Sequence, residues 1–257
     1  MPMRSPDDIA RASASWVWHP RDSEHDDQHL HLVRYPARFG GGVRASRIDT
    51  DLDAAEVVSL AIDRTRAWGE NRLVVWAGAA DRPDVEDELR RIGAVHDDTV
   101  TVFARPLPGD PIPVPDDVTV EIVRTMDQVR DVDAVNVPVW EQAPLDAEGL
   151  RAEHTEVTTA LESGEGCRVL SRIDGRPVGT GGCTVVDGFL RLWGAATLPE
   201  VRGRGAYRAV LAERLRWGAA QGADTALVKG RIETSAPILA RAGFRRFGEE
   251  RSYSIRL

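Results

Sequence analysis

The segment Thr197-Leu-Pro-Glu-Val-Arg-Gly-Arg-Gly-Ala-Tyr207 decides how this chain folds. It follows a stretch that alternates like a β-strand, residues 190–198, and precedes one with helical periodicity, residues 207–221. Two glycines and two arginines therefore stand where a helix begins. The first amides of a helix are unpaired and lie at the positive end of its dipole, so they attract anions. The segment predicts an anion-binding loop between a strand and a helix.

The glycines of this loop indicate which anion to expect. Gly203 and Gly205 have no Cβ to block a close approach to the backbone, and Arg202 and Arg204 would add charge-assisted hydrogen bonds. The expected ligand is a pyrophosphate. The patterns of the Rossmann and P-loop phosphate sites are absent from the sequence. Arg/Gly tracts also occur in RNA-binding tails, so these four residues by themselves do not identify a phosphate site. A solvated basic turn is the alternative interpretation.

The residues around the loop predict an α+β domain with a mixed, mostly antiparallel sheet flanked by helices. Asp174-Gly175 and Asp187-Gly188 are typical hairpin turns between alternating stretches. After the loop the pattern changes to helix, strand, helix, strand. The predicted strands are residues 118–123, 167–173, 177–186, 190–198, 223–228 and 252–257, and the predicted helices are residues 125–136, 150–161, 207–221 and 235–242.

The chain also shows an internal repeat. Residues 61–76 resemble residues 211–228, and residues 89–94 resemble residues 239–244, each at an offset of about 150 residues. Five prolines between positions 106 and 115 predict an extended linker. We expect a degenerate first copy at residues 1–105, a linker at 106–117 and a second copy at 118–257. The alternative is two α/β domains that merely share the order of their elements.

Residues 118–257 resemble the GNAT superfamily of acyl-CoA-dependent N-acetyltransferases in the order of elements and in the loop Arg202-Gly-Arg-Gly205-Ala. Tyr207 departs from the small residue usual at its position. The two-copy layout resembles that of tandem GNAT proteins, including mycothiol synthase. The resemblance implies two tandem GNAT-like domains and transfer of an acetyl group from acetyl-CoA to a small amine, directly within a ternary complex.

The resemblance also implies where the cofactor and the reacting groups lie. The Leu198 amide would donate a hydrogen bond to the thioester oxygen. The residues expected to contact acetyl-CoA are Leu198, Val201, Arg202, Gly203, Arg204, Gly205, Ala206, Tyr207 and Ser235.

The sequence leaves the proton-transfer groups open. An amine is protonated near neutral pH, so a base must take its proton. Glu233 is our first candidate, with a surface charge as its alternative reading. Asp187, Glu200, His154 or a chain of waters are the others. Leu239 stands where family members often have a tyrosine that protonates the departing thiolate, and Ile232 where an asparagine is common.

Trp140 and Glu141 are candidates for the acceptor site, because an exposed indole beside a carboxylate suits a cationic amine. A hydrophobic contact beneath a loop is the alternative for Trp140. Residues 111–199 are rich in acidic side chains and residues 200–257 in basic ones. This asymmetry favours a cationic acceptor.

Composition excludes several classes of protein. A net charge of −8 over 257 residues argues against nucleic-acid binding, which depends on neutralising phosphates. We find no apolar run near the roughly 18 residues of a membrane span, and no secretory signal. Cys167 and Cys183 cannot form a disulfide scaffold, and zinc-site spacings are absent. We expect a cytoplasmic monomer or homodimer without a metal or a membrane partner.

A second functional class stays open. Without the tyrosine and with the base unassigned, the chain could bind acyl-CoA as a sensor or structural module without turnover. Release of free thiol in the presence of amines separates the two readings.

Overall fold

A computed structural model of the chain describes residues 4–19, 23–37, 40–78, 82–231 and 235–257. The helices in these ranges are α1 (Pro6–Ala14), α2 (Ala54–Ala67), α3 (Pro83–Arg91), α4 (Met126–Trp140), α5 (Ala147–Glu162), α6 (Ala206–Ala220) and α7 (Ala236–Arg241). The strands are β1 (Glu24–Asp26), β2 (Leu30–Arg34), β3 (Val43–Ile48), β4 (Arg72–Gly78), β5 (Val95–Pro106), β6 (Val118–Ile122), β7 (Gly166–Ile173), β8 (Arg176–Val186), β9 (Phe189–Thr197), β10 (Thr225–Arg231) and β11 (Arg245–Arg256). No helix within the described ranges is long and apolar enough to cross a membrane.

The chain divides into two compact units. The N-terminal unit comprises Ser5–Val102, Gly230–Ala236 and Arg246–Leu257. The C-terminal unit comprises Met1–Arg4, Phe103–Lys229 and Pro237–Arg245. Nearly all of the last strand, β11, therefore belongs to the N-terminal unit, whereas the boundaries drawn from the sequence placed it in the second domain.

The pairing of β11 explains this difference. It runs antiparallel to β4 in continuous register from Glu250↔Gly78 to Arg256↔Arg72. Tyr253 of β11 packs into the hydrophobic core of the N-terminal unit and donates a hydrogen bond to Glu86 at 2.6 Å. The sequence could not show this, because alternation identifies a strand but not its partner.

In the N-terminal unit, β1, β2 and β3 pair in antiparallel order, and β3 then pairs in parallel with β4. The helix α2 connects these two parallel strands and packs on one face of the sheet through Val57, Val58 and Ala61, which meet Leu73 and Val75 of β4. In the C-terminal unit, β6, β7, β8 and β9 pair in antiparallel order and β9 pairs in parallel with β10, which it reaches through α6. Each unit thus repeats one feature, a helix that joins two adjacent parallel strands.

The helices of the C-terminal unit cover both faces of its sheet. A Cβ added at Gly181 of β8 would meet Val210 and Arg214 of α6, whereas one at Gly182 would meet the Trp193 ring. Because neighbouring residues of a strand point to opposite faces, Trp193 lies on the face away from α6. Leu170 of β7 packs there with valines of α4 and α5. The helices α4 and α5 therefore cover the Trp193 face.

Candidate functional site

The two parallel strands of the C-terminal unit separate before β9 ends. Their pairing runs from Thr225↔Phe189 to Val228↔Leu192, while β9 continues to Thr197. Opposite the last part of β9, β8 pairs Gly182 with Trp193 but Thr180 with Ala196. Two residues of β9 therefore face one of β8, which is a bulge and bends the strand. The result is an opening along one edge of β9.

The bulge contains Gly194, whose φ of +58° lies in the left-handed region. A side chain at this residue would strain the backbone and would also meet the Arg168 guanidinium, 3.1 Å from the position of its Cβ. Glycine thus lets β9 bend away from β10 while a buried arginine lies directly beneath the bend.

The Leu198 amide is not free to bind a thioester oxygen. Its N–H donates to the Val178 carbonyl of β8 at 2.9 Å, so it points into the sheet rather than into the opening. Backbone groups alternate between the two sides of a strand, and the Thr197 N–H therefore points toward the opening. The Thr197 Oγ1 is buried and has no hydrogen-bond partner among the described residues.

The loop after β9 leads into the N-terminus of α6. A 3-10 turn, Pro199–Val201, is followed by Gly203 and Gly205 with φ of +82° and +93°. Gly205 is the N-cap of α6 and provides no side-chain cap. The amides of the first turn, Ala206, Tyr207 and Arg208, consequently have no acceptor within the described part of the helix. A helix start with free amides after a glycine-containing loop is the arrangement that the predicted anion-binding loop requires.

The two glycines serve different purposes. A Cβ at Gly203 would meet nothing within 4 Å, so this residue borders open space. A Cβ at Gly205 would lie 2.6 Å from Cγ of Pro115. Gly205 is therefore required by the chain's own packing, and Gly203 is the residue whose missing side chain leaves room for a ligand.

The two arginines of the loop differ in whether their side chains already have a partner within the chain. Arg204 forms an ion pair with Asp117 at 2.9 Å, and both are exposed. Arg202 is exposed, and its guanidinium has no hydrogen bond or ion pair to any residue that the structure describes. Tyr207 is half-buried, and burial raises its pKa while the charge of Arg214 opposes that rise. Arg202 is the cation of this loop that is available to a ligand.

On the opposite face of the sheet, Arg168 of β7 is only 5% exposed. Its Nε donates to Thr180 Oγ1 at 3.1 Å, and its guanidinium lies 5.1 Å from the centre of the Trp193 ring. Trp193 itself is 37% exposed. Because Trp193 immediately precedes the bulge, this cluster lies beside the opening on the α4–α5 face.

Glu153 is a functional candidate that sequence reasoning missed. It lies on the same side of α5 as Leu150 and Val157, which pack toward the sheet. Burial raises the pKa of Glu153, and the charge of Arg168 opposes this rise. Its carboxylate has no hydrogen bond within the described ranges. The signal available in the sequence was a glutamate on the apolar side of a predicted helix.

Asp133 of α4 is a second carboxyl group on this face, and it is 9% exposed. Its Oδ2 accepts from the Leu145 amide at 3.1 Å, whereas its Oδ1 is buried without a partner among described atoms. Burial raises the pKa of Asp133 as well. The Asp133 charge also raises the pKa of Glu153, so the two carboxylates influence one another.

The structure places most other base candidates elsewhere. The His154 ring Nε2 lies 3.1 Å from the Arg124 carbonyl, and Glu200 pairs with Arg176 at 2.7 Å. Asp187 lies in the β8–β9 hairpin turn with a φ of +52°. Glu233 falls outside the described residues. None of the first three lies at the opening.

The residues expected around the acceptor and at the end of the cofactor have the following positions. Trp140 ends α4 and is 47% exposed, and Glu141 is the C-cap of that helix with a φ of +51°. Ser235 Oγ donates to the Arg231 carbonyl at 3.3 Å. Leu239, which replaces the usual tyrosine, is fully buried and carries no group that could donate a proton.

Cys167 and Cys183 face each other across β7 and β8 with their Sγ atoms 3.4 Å apart, both buried. Among the described residues, no group of three or more His, Cys, Asp or Glu side chains is arranged to hold a metal ion.

The N-terminal unit has no comparable cradle at the start of α2. The Asp53 side chain caps this helix by accepting from the Glu56 amide at 2.8 Å, and the Glu56 carboxylate accepts from the Asp53 amide at 3.1 Å. Arg82 donates to the carbonyls of Thr50 and Leu52, which fixes the preceding loop. Two amides at the start of α2, those of Asp53 and Glu56, are thus bonded to the chain's own carboxylates, whose negative charge would also repel an anion.

Comparison with known proteins agrees with this geometry. Residues 130–244 match the model of the acetyltransferase (GNAT) family. A GCN5-related N-acetyltransferase from Kribbella flavida is similar in structure, with a TM-score of 0.71 and 20% identity over 96% of this chain and 94% of that one. A GCN5-related N-acetyltransferase from Sphaerobacter thermophilus is also similar, with a TM-score of 0.69 and 15% identity over 89% of this chain and 76% of that one.

A tandem GNAT protein from the clavulanic acid biosynthesis pathway has a TM-score of 0.64 and 13% identity, over 88% of this chain and 78% of that one. A search of the curated proteins found no match. Likeness at these identities concerns the fold. The chain has the two-domain fold of the tandem GNAT proteins, and the fold class predicted from the sequence is confirmed.

Proposed function

We propose that this protein transfers an acetyl group from acetyl-CoA to the amine of a small, cationic molecule by direct transfer in a ternary complex. One observation carries the proposal: α6 begins without a side-chain cap beside the opening where β9 leaves β10. A pyrophosphate would satisfy the free amides of α6, and the rest of the cofactor would follow the unpaired edge of β9. The family match over residues 130–244 supports the same reading.

The residues at the loop fit the charge of coenzyme A. The amides of Ala206, Tyr207 and Arg208 would hold the pyrophosphate, and Arg202 would add a charge-assisted bond. Open space at Gly203 leaves room for the phosphate oxygens. Arg204 would have to leave Asp117 to take part, so we assign it a smaller role.

We propose the backbone N–H of Thr197, rather than that of Leu198, as the donor to the thioester oxygen. Its N–H faces the opening, whereas that of Leu198 is bonded to Val178. A fixed N–H in this position would stabilise negative charge on the thioester oxygen as the amine attacks.

Glu153 is the proposed base. An acceptor ammonium would give one proton to the Glu153 carboxylate, and the neutral amine would then attack the thioester carbon. As the C–S bond breaks, the second proton of the nitrogen goes to the departing thiolate, directly or through water. Glu153 returns its proton to solvent, so the products are the acetylated amine, coenzyme A with a free thiol, and one proton.

The same carboxylates favour a cationic acceptor. Asp133 and Glu153 both offer oxygens without a hydrogen-bonding partner among the described residues, on the face covered by α4 and α5. Long-range attraction of such a substrate weakens as salt is added. The feature that we propose this protein shares with mycothiol synthase is the tandem arrangement of two domains.

A binding module without turnover is the second candidate, because Leu239 cannot protonate a thiolate. Thiol release from acetyl-CoA with a panel of mono-, di- and polyamines decides between the two. We expect release that depends on the amine, is fastest for a cationic acceptor and falls with salt. Coenzyme A binding without release for every amine would favour the module.

We also expect one coenzyme A to bind per chain. The start of α2 is capped by Asp53 and its loop is fixed by Arg82, so the N-terminal unit should not bind the cofactor. Calorimetric titration of the full chain measures the stoichiometry. Two equivalent sites would contradict this assignment.

A further inference from the structure

A cavity of about 230 Å³ lies on the sheet of the N-terminal unit. Arg72, Val74 and Trp76 of β4 line it, whereas Leu73 and Val75 between them pack with α2. Because side chains alternate along a strand, the cavity lies on the face that turns away from α2. The proposed acetyl transfer makes no use of it.

The cavity wall contains a polar group without a partner. Ser252 of β11 lines the cavity and is 1% exposed, and its Oγ has no hydrogen bond to any described residue. Buried hydroxyl groups are nearly always hydrogen-bonded, because an unmade bond is costly. A ligand that accepts a bond from Ser252 would remove this cost.

The charged residues of the cavity are mostly basic. Arg44, Arg72 and Arg231 line it together with Asp97 and Asp98. The ion pair of Arg72 with Asp97 is long, at 3.7 Å, and Arg231 uses its Nε to reach Asp98 at 3.1 Å. A guanidinium has five donors, so both arginines retain donors for a ligand.

A glycine loop forms another part of the wall. Gly41 and Gly42 have φ of +63° and +73°, which side chains rarely adopt. A Cβ at Gly41 would meet nothing within 4 Å, while one at Gly42 would lie 3.1 Å from the Arg72 carbonyl. The loop can therefore approach a ligand with its backbone.

We propose that this cavity binds a compact anionic group, a carboxylate or a phosphate. Arg72 and Arg231 would each donate to its oxygens, and the Ser252 hydroxyl would donate a further bond. The cavity is smaller than the roughly 300–1,000 Å³ of pockets for drug-sized ligands. The group bound is therefore a small anion, or the anionic end of a larger molecule.

Calorimetric titration of the full chain with inorganic phosphate, and separately with acetate, tests the proposal. Saturating coenzyme A occupies the C-terminal loop, and ionic strength is held constant. We expect saturable binding of one probe, weakened at least about tenfold by Arg72→Gln and by Ser252→Ala. Arg130→Gln, which removes an exposed arginine of the C-terminal unit, should leave the affinity unchanged.

The variant Ser252→Ala has a second expected property. Since its hydroxyl is unbonded, its removal should not lower the Tm of the protein without phosphate or acetate. If phosphate binds more tightly than acetate, the anionic group that the cavity takes is a phosphate. If acetate binds more tightly, it is a carboxylate.

The proposal is overturned if neither probe binds saturably, or if Arg130→Gln weakens binding as much as Arg72→Gln. Should coenzyme A itself fail to bind, the same variants titrated without it still decide, because Arg72 and Ser252 lie outside the cofactor loop.

Discussion

Gly203→Val should weaken coenzyme A binding by at least about tenfold, equivalent to about 1.4 kcal/mol. Gly203 has a φ of +82° and borders open space at the start of α6. A branched side chain would occupy the volume of the phosphate oxygens and turn the loop away from its left-handed conformation. Isothermal titration with coenzyme A measures the change.

Gly175→Val is the matched control. Gly175 has a φ of +76°, also has nothing within 4 Å of an added Cβ, and lies in the β7–β8 hairpin turn. Both variants should lose similar stability from backbone strain, about 1–2 kcal/mol. Only Gly203→Val should lose affinity. If both bind coenzyme A as the wild type does, the loop is not the cofactor site.

Gly205 is less suitable for this experiment, although the sequence singles it out equally. Its added Cβ would meet Pro115, so loss of binding could follow from displaced packing rather than from a blocked ligand. Spacing alone could not separate the two glycines, because Pro115 is distant in sequence and contacts Gly205 only after folding.

The parts of the fold that the sequence predicted depend on local signals. Asp174-Gly175 marks a hairpin wherever it lies between alternating stretches, and Gly205 before an amphipathic stretch marks the start of α6. The partner of β11 depends instead on a pairing with β4 that no local pattern encodes.

The proposed site divides in the same way. The segment from Arg202 to Tyr207 is continuous in sequence, and α6 begins within it, close to the helix start at Tyr207 that the sequence predicts. The donor expected at Leu198 moves to Thr197 in our proposal, because the bulge at Gly194 changes which amides face the opening. The cluster of Glu153, Arg168 and Trp193 comes from three separate elements, so only tertiary packing brings it together.

Glu153→Gln should lower kcat/KM for the acceptor by about 100-fold or more at neutral pH, in the range typical of a lost general base. Burial raises the pKa of Glu153 above the ordinary value of about 4.3, despite Arg168. The wild-type rate should therefore rise with pH through this raised pKa, as the carboxylate forms. In the glutamine variant this limb of the pH profile should disappear.

Stability provides the readout that separates catalysis from folding. A carboxyl group whose pKa is higher in the folded than in the unfolded state holds more protons when folded, so its contribution to stability falls as pH rises between the two values. Glutamine resembles the protonated acid and avoids this loss. Glu153→Gln should thus be at least as stable as the wild type at neutral pH, although it is nearly inactive.

Glu162→Gln is the matched control, because it makes the same change at an exposed residue near the end of the same helix. It should keep both the rate and the pH profile of the wild type, and coenzyme A affinity should be unchanged in both variants. If the rate of the Glu153→Gln enzyme still rises with pH as the wild-type rate does, Glu153 is not the base that accepts the proton of the amine. If its loss of rate came with an equal loss of stability, Glu153 would be a structural partner of Arg168 instead.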